Sequence, residues 1–157
     1  MSNADIWQLQ EKSDFQDAWQ FGGQDPGNAY KHSMASPFQS SQDALNAING
    51  YIAQNLNLAA GMYQLYGDSA SSSNSTDTWL TPFGDALHTI TDSTSPAHMQ
   101  NGVPITWPSY PNVSEHGGWP DSIETWANMT PALMQENIAK IQAAYMKVTG
   151  RSCGCHQ

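Results

Sequence analysis

A chain of 157 residues, 39% of them apolar, has room for one domain with an ordinary core and not for two independent ones. Its 14 acidic residues against 5 Lys and Arg give a formal net charge of -9, which disfavours a polynucleotide ligand unless bound cations supply the missing positive charge. No apolar run approaches the roughly eighteen residues that a bilayer-spanning helix needs, and the opening MSNADIWQLQ lacks the basic and apolar regions of a secretory signal, so a soluble protein is expected.

Residues 5–21 place Ile6, Leu9, Phe15, Trp19 and Phe21 at roughly helical spacing until Gly22 and Gly23 interrupt, predicting a first helix. The stretch QDPGNAYKHSMASPFQ, punctuated by Pro, Gly and Asn, predicts a loop with one helical turn, and it carries His32. Beyond it Ser41 can cap and Asp43 suits a first turn. Leu45, Ile48, Ile52, Leu56, Ala59 and Tyr63 then share one helical face, predicting a long helix that ends at Gly67. DSASSSNSTDT is a Ser-rich, flexible connection.

Thr81 followed by Pro82 looks like an N-cap with proline at the first helical position, opening a short helix to Asp92 that stops before Pro96. Residues 99–120 are rich in Pro and Gly and hold Trp107, Tyr110 and Trp119. They predict an ordered loop walling a pocket, its aromatics either filling the loop or facing a lipid or a nucleobase. Thr130 and Pro131 repeat the cap-plus-proline start, after which Met134, Ile138, Ile141, Tyr145 and Val148 recur at helical spacing until Gly150. No segment alternates strictly enough to predict a strand. The expected fold is mainly α, a compact single-domain helical bundle with long ordered loops over residues 1–150, followed by a flexible tail over 151–157. In that tail Cys153 and Cys155 are too close for an unstrained disulfide, and with His156 they make at most half a zinc site.

The chemistry gathers around the histidines. His88 and Asp92, four apart on the predicted short helix, emerge from one face about 6 Å of rise apart and can reach one ion. Alone they read equally well as a surface pair. His98, just past the helix stop, completes HxxxDxxxxxH and favours a metal, because zinc takes imidazole and carboxylate donors converging from several positions. His32 and His116 lie in loops, and Asp121 and Glu124 are the nearest downstream carboxylates. Each also has a plain structural reading, the histidines bonded to backbone and the acids in a solvated first helical turn.

The segment ALHTITDSTSPAH is similar to the central ligand segment of bacterial zinc-dependent phospholipase C and of the related single-strand-specific zinc nucleases. The blocks YKHSMASPFQSSQDALNAINGYI and ALHTITDSTSPAHMQNGVPITW also look like the variable C-terminal toxin domains of Rhs (YD-repeat) proteins. The resemblance implies that His32, His88 and Asp92 hold a first zinc with Asp17 nearby and Asp14 in reserve. His98, His116 and either Glu124 or Asp121 would hold a second, with Asp92 as a possible bridge. Pro120 stands where the family has its last glutamate, which passes that role to Asp121 or Glu124, and the internal position of Trp7 leaves a third ion without its ligand. One or two zinc ions are therefore expected.

The implied activity is hydrolysis of a phospholipid or another phosphodiester, with Asp17 as general base if it is not a ligand. The implied setting is a toxin or effector domain delivered into target cells as part of a larger secreted protein, with a cognate immunity protein as partner. A nuclease acting on single strands is the first alternative. A non-catalytic binding domain whose metal only staples loops is the second.

Overall fold

Ser40 opens the longest helix, α1 (Ser41–Tyr66), in a computed structural model that describes residues 25–67, 78–107 and 129–152 together with Gln8, Leu9 and Lys12. The Ser40 backbone is extended and its hydroxyl accepts from the Asp43 N–H at 3.1 Å, which places the cap one residue before Ser41. Ala44, Ile48, Leu56 and Ala59 are buried along the predicted face, with Ile52 and Tyr63 partly buried beside them. Gly67 ends the helix at φ 59, a conformation that costs glycine little.

The second helix, α2 (Leu80–Asp92), departs from its predicted start. Thr81 is inside the helix, its N–H donating to the Thr78 carbonyl at 3.1 Å, and Trp79 stands at the N-cap with no capping side chain. Pro82 remains tolerable because N–H groups of a first turn have no intrahelical partner to lose. Burial anchors this end instead. Trp79, Leu80 and Phe83 are each no more than 4% exposed and join Leu56 and Ala59 of α1 in the main core, together with Ala144 and Val148 of α3 (Pro131–Thr149). Side chains of this size stabilise by roughly 1.5–3 kcal/mol each when fully buried. Leu9 packs on the same core, and a Cβ added at Gly84 would meet the Lys12 Cβ at 2.9 Å, so the glycine permits the close approach of the N-terminal residues.

In α3 the expected cap holds, the Thr130 hydroxyl accepting from the Leu133 N–H at 3.3 Å, and Gly150 closes the helix in the left-handed region at φ 69. Of the predicted face, Ile141, Tyr145 and Val148 pack inward, and Ile138 does not. Asn137, Ala144 and Val148 are buried, whereas Ile138 is 50% exposed. Small Ala144 allows close helix contact along this line, and buried Asn137 finds polar partners at the end of α2.

Two short strands, β1 (Met99–Gln100) and β2 (Val103–Pro104), form an antiparallel hairpin where only loop was expected. Asn101 and Gly102 both have positive φ, 52 and 76, the two-residue turn that Asn-Gly strongly favours. That dipeptide was the available signal, and two residues per strand are too few to show alternation. Beyond the hairpin, Thr106 bridges in parallel to Ala35. The fold is mainly α, with α1 contacting α2, α3 and a 3-10 helix (Pro26–His32) that also contacts α2. Among the described residues no helix is long and apolar enough to cross a membrane. The Ser-rich connection, most of the helix expected over 5–21 and residues 153–157 lie outside the described residues.

Candidate metal centre

His88 and Asp92 stand one turn apart near the end of α2, on one face as their spacing requires. His32 ends the 3-10 helix, after which Ser33 turns the chain in the left-handed region at φ 53. Two hydroxyl bonds fix that turn against α2. Thr89 Oγ1 donates to the Lys31 carbonyl at 2.6 Å, and Ser33 Oγ donates to the Thr89 carbonyl at 2.7 Å. His98 is brought back by successive tight turns, the Ser95 N–H donating to the Asp92 carbonyl at 2.9 Å and the His98 N–H to the Ser95 carbonyl at 3.1 Å. The chain after the hairpin then ties the pieces together. The Ile105 N–H donates to the His98 carbonyl at 2.8 Å, and its carbonyl accepts from the Ala35 N–H at 2.9 Å.

The His32, His88 and His98 residues are 1%, 4% and 2% exposed, whereas the Asp92 side chain is 17% exposed and gives the cluster its solvent edge. Around Asp92 Oδ2 stand His32 Nδ1 at 3.4 Å, His88 Nε2 at 3.2 Å and His98 Nδ1 at 3.3 Å. None of these contacts is aligned as a hydrogen bond to that oxygen, which is itself buried without one. His88 Nε2 also lies 3.0 Å from His32 Nδ1. Two imidazole nitrogens at that distance repel unless a proton or a cation sits between their lone pairs.

His32, His88 and Asp92 offer donor atoms within 4.8 Å of one another and can hold a metal ion. His98 lies outside this mutually close set and is joined to it through Asp92. The end of α2 has no basic residue in its last turn, so its partial negative charge is available to favour a cation. Compared with known families, curated proteins and solved structures, the chain matches none of them.

Burial alone would raise the Asp92 carboxyl, but the charge of His88 and the contacts from His32, His88 and His98 outweigh it and hold the group well below the usual carboxylate range. The carboxylate is thereby kept in its ligating form. Trp107 lies with its ring 5.1 Å from that of His32 and is 2% exposed, so it fills the loop and shields the histidine rather than presenting a face to lipid or base.

Of the other sequence candidates, Asp14, Asp17, His116, Asp121, Glu124, Tyr110 and Trp119 lie outside the described residues, as do Cys153, Cys155 and His156. Nothing in the ligand spacing singles out Ser33 or Thr89. The available signal was a hydroxyl residue directly beside each of two histidines. A separate cleft of about 700 Å³ opens between α1, α3 and the hairpin, lined in part by Ile48, Ser93, Thr94, Pro96 and Met99, and none of the four clustered residues lines it.

Proposed function

We propose that this chain is a zinc-dependent phosphodiester hydrolase of the phospholipase C type, working as a toxin domain of an Rhs-type protein. The observation that carries the reading is the convergence of three imidazoles on one unsatisfied carboxylate oxygen, Asp92 Oδ2. Zinc suits this donor set: nitrogen and oxygen ligands at about 2.0–2.1 Å, arranged tetrahedrally, stand about 3.3–3.4 Å apart. The spacings of Asp92 Oδ2 from His32 and His88, 3.4 and 3.2 Å, are close to that edge. In this reading His98, with Asp92, His116 and Glu124 or Asp121, would hold a second ion.

A zinc ion held there supplies Lewis acidity toward a phosphoryl oxygen and makes water more acidic. The chain's own part is to keep Asp92 ionised, to hold the His32 turn through Thr89 and Ser33, and to keep bulk water from His32 with Trp107. Asp17 is the proposed general base. The solvent edge at Asp92 supports catalysis, because a substrate needs one open side. A net charge of -9 favours a phospholipid over a polynucleotide. The burial of all three imidazoles favours a second reading, a structural zinc that fastens the 32–34 turn and residue 98 to α2.

The test is elemental analysis of protein purified without a metal-affinity tag, with His88→Ala and His98→Ala alongside, followed by hydrolysis assays on phosphatidylcholine vesicles and on single-stranded DNA. One or two zinc ions per chain, reduced in both variants, with release of the phosphorylated head group from the vesicles, is the expected result. Turnover of DNA alone favours the nuclease, zinc without turnover favours the structural reading, and no metal after zinc is offered overturns the metal centre.

A further inference from the structure

We propose that Asn137 of α3 is a positioning residue for the metal centre, clamping the turn that sets Asp92 against His98; the inference rests on the metal reading above. Asn137 is 2% exposed and stands with Ala144 and Val148 on the buried face of α3. Its Nδ2 donates to Thr94 Oγ1 at 2.7 Å and reaches the Thr91 carbonyl at 3.5 Å. Thr94 Oγ1 in turn donates to that same carbonyl at 2.7 Å. One amide thus interlocks the residue before Asp92 with the residue two after it. Lys140, nearly one turn further along α3, adds a second tie, its Nζ donating to Ser93 Oγ at 3.1 Å.

The burial of Asn137 makes little sense as core filling. Its Oδ1 is buried with no hydrogen bond, an arrangement that disfavours folding, and a leucine would fill the same face with no orphaned oxygen. What a leucine cannot supply is the donor to Thr94. The need for a clamp is visible in the surroundings: Ser93, Thr94, Pro96 and Met99, the residues between and beside Asp92 and His98, line the open cleft. With open space along this stretch, the hydrogen bonds from α3 restrain it. Residues 92 to 98 carry the two ligands that differ in their relation to the close set, so slack here alters the Asp92–His98 spacing of 3.3 Å directly.

The clamp is separable from the fold by experiment. Cobalt(II) is titrated into metal-free parent, Asn137→Leu, Thr94→Val and Thr94→Ser proteins, reading the affinity, the visible d–d spectrum and the Tm of each metal-free form. Asn137→Leu should keep or raise the metal-free Tm while binding cobalt at least about tenfold more weakly with an altered spectrum, the size of effect seen when residues supporting ligands are lost. Thr94→Val should show the same loss, and Thr94→Ser, which keeps the hydroxyl, should behave as the parent. Parent-like affinity and spectrum in Asn137→Leu overturn the clamp alone. A metal-free Tm that falls together with the affinity in both Asn137→Leu and Thr94→Val assigns these residues to the fold and also overturns it. A parent that binds no cobalt overturns the metal reading, and the clamp with it.

Discussion

Replacing His88 by alanine removes a side chain that touches both other members of the close set, at 3.2 Å from Asp92 Oδ2 and 3.0 Å from His32 Nδ1. Zinc bound by four protein donors contributes about 10–16 kcal/mol, or about 2.5–4 kcal/mol per donor. Losing one donor therefore weakens binding by about two to three orders of magnitude. At a free zinc concentration about 100-fold above the parent Kd, binding stabilises the folded parent by about 2.7 kcal/mol. For a chain of this size that raises Tm by about 5–11 °C. His88→Ala, at the same zinc concentration, sits near or below half saturation and gains about 0.4 kcal/mol or less, a rise of about 1–2 °C. The assay is thermal denaturation followed by circular dichroism with and without zinc. The zinc-dependent shift is the quantity compared, because losing a buried imidazole lowers the metal-free Tm as well. Equal shifts in parent and variant, or no shift in the parent, would refute the reasoning.

Four further outcomes follow from the same geometry. Asp92→Asn keeps the size of the side chain that contacts all three imidazoles but removes its charge, so zinc binding measured by calorimetry should fall further than in His98→Ala, where the close set stays intact. Zinc affinity should decline on acidification, because protons compete with the ion for imidazole nitrogen, while Asp92 stays ionised; titration in buffers of different ionisation enthalpy should show no proton released from Asp92. In the metal-free protein the depressed Asp92 pKa contributes stability that is present above the ordinary carboxyl value of about 4 and is lost as pH falls toward the folded value, so Tm should drop below about pH 4, less steeply in Asp92→Asn. Thr89→Val removes the 2.6 Å bond to the Lys31 carbonyl and should cost about 1–3 kcal/mol, seen as a metal-free Tm lowered by several degrees and as weaker zinc binding.

What could be read from the sequence was whatever depends on near neighbours along the chain. The face of α1 follows from the 3.6-residue period acting on Ile48, Ile52, Leu56 and Ala59. The pairing of His88 with Asp92 follows from the same period, and the start of α3 follows from Thr130 and Pro131. Where neighbours were ambiguous, tertiary contact decided. Thr81 and Pro82 carry a capping pattern, yet burial of Trp79 and Leu80 extends α2 past it. Apolar Ile138 sits at the solvent while polar Asn137 is buried, because a helix face is chosen by what lies opposite, here the hydroxyl of Thr94.

The candidate centre divides along the same line. That His88 and Asp92 share a face is a property of α2 alone. That His32 joins them across 56 residues, while His98 stands outside the close set and touches it through Asp92, was decided only in the folded chain. The hydroxyl bonds between Ser33, Thr89 and the Lys31 carbonyl, and the hairpin that brings Ile105 and Trp107 back to the His98 backbone and the His32 ring, are long-range contacts. Local spacing sets the direction of a side chain from its own helix. It does not set the distance to another segment, which depends on how the buried surfaces between them fit.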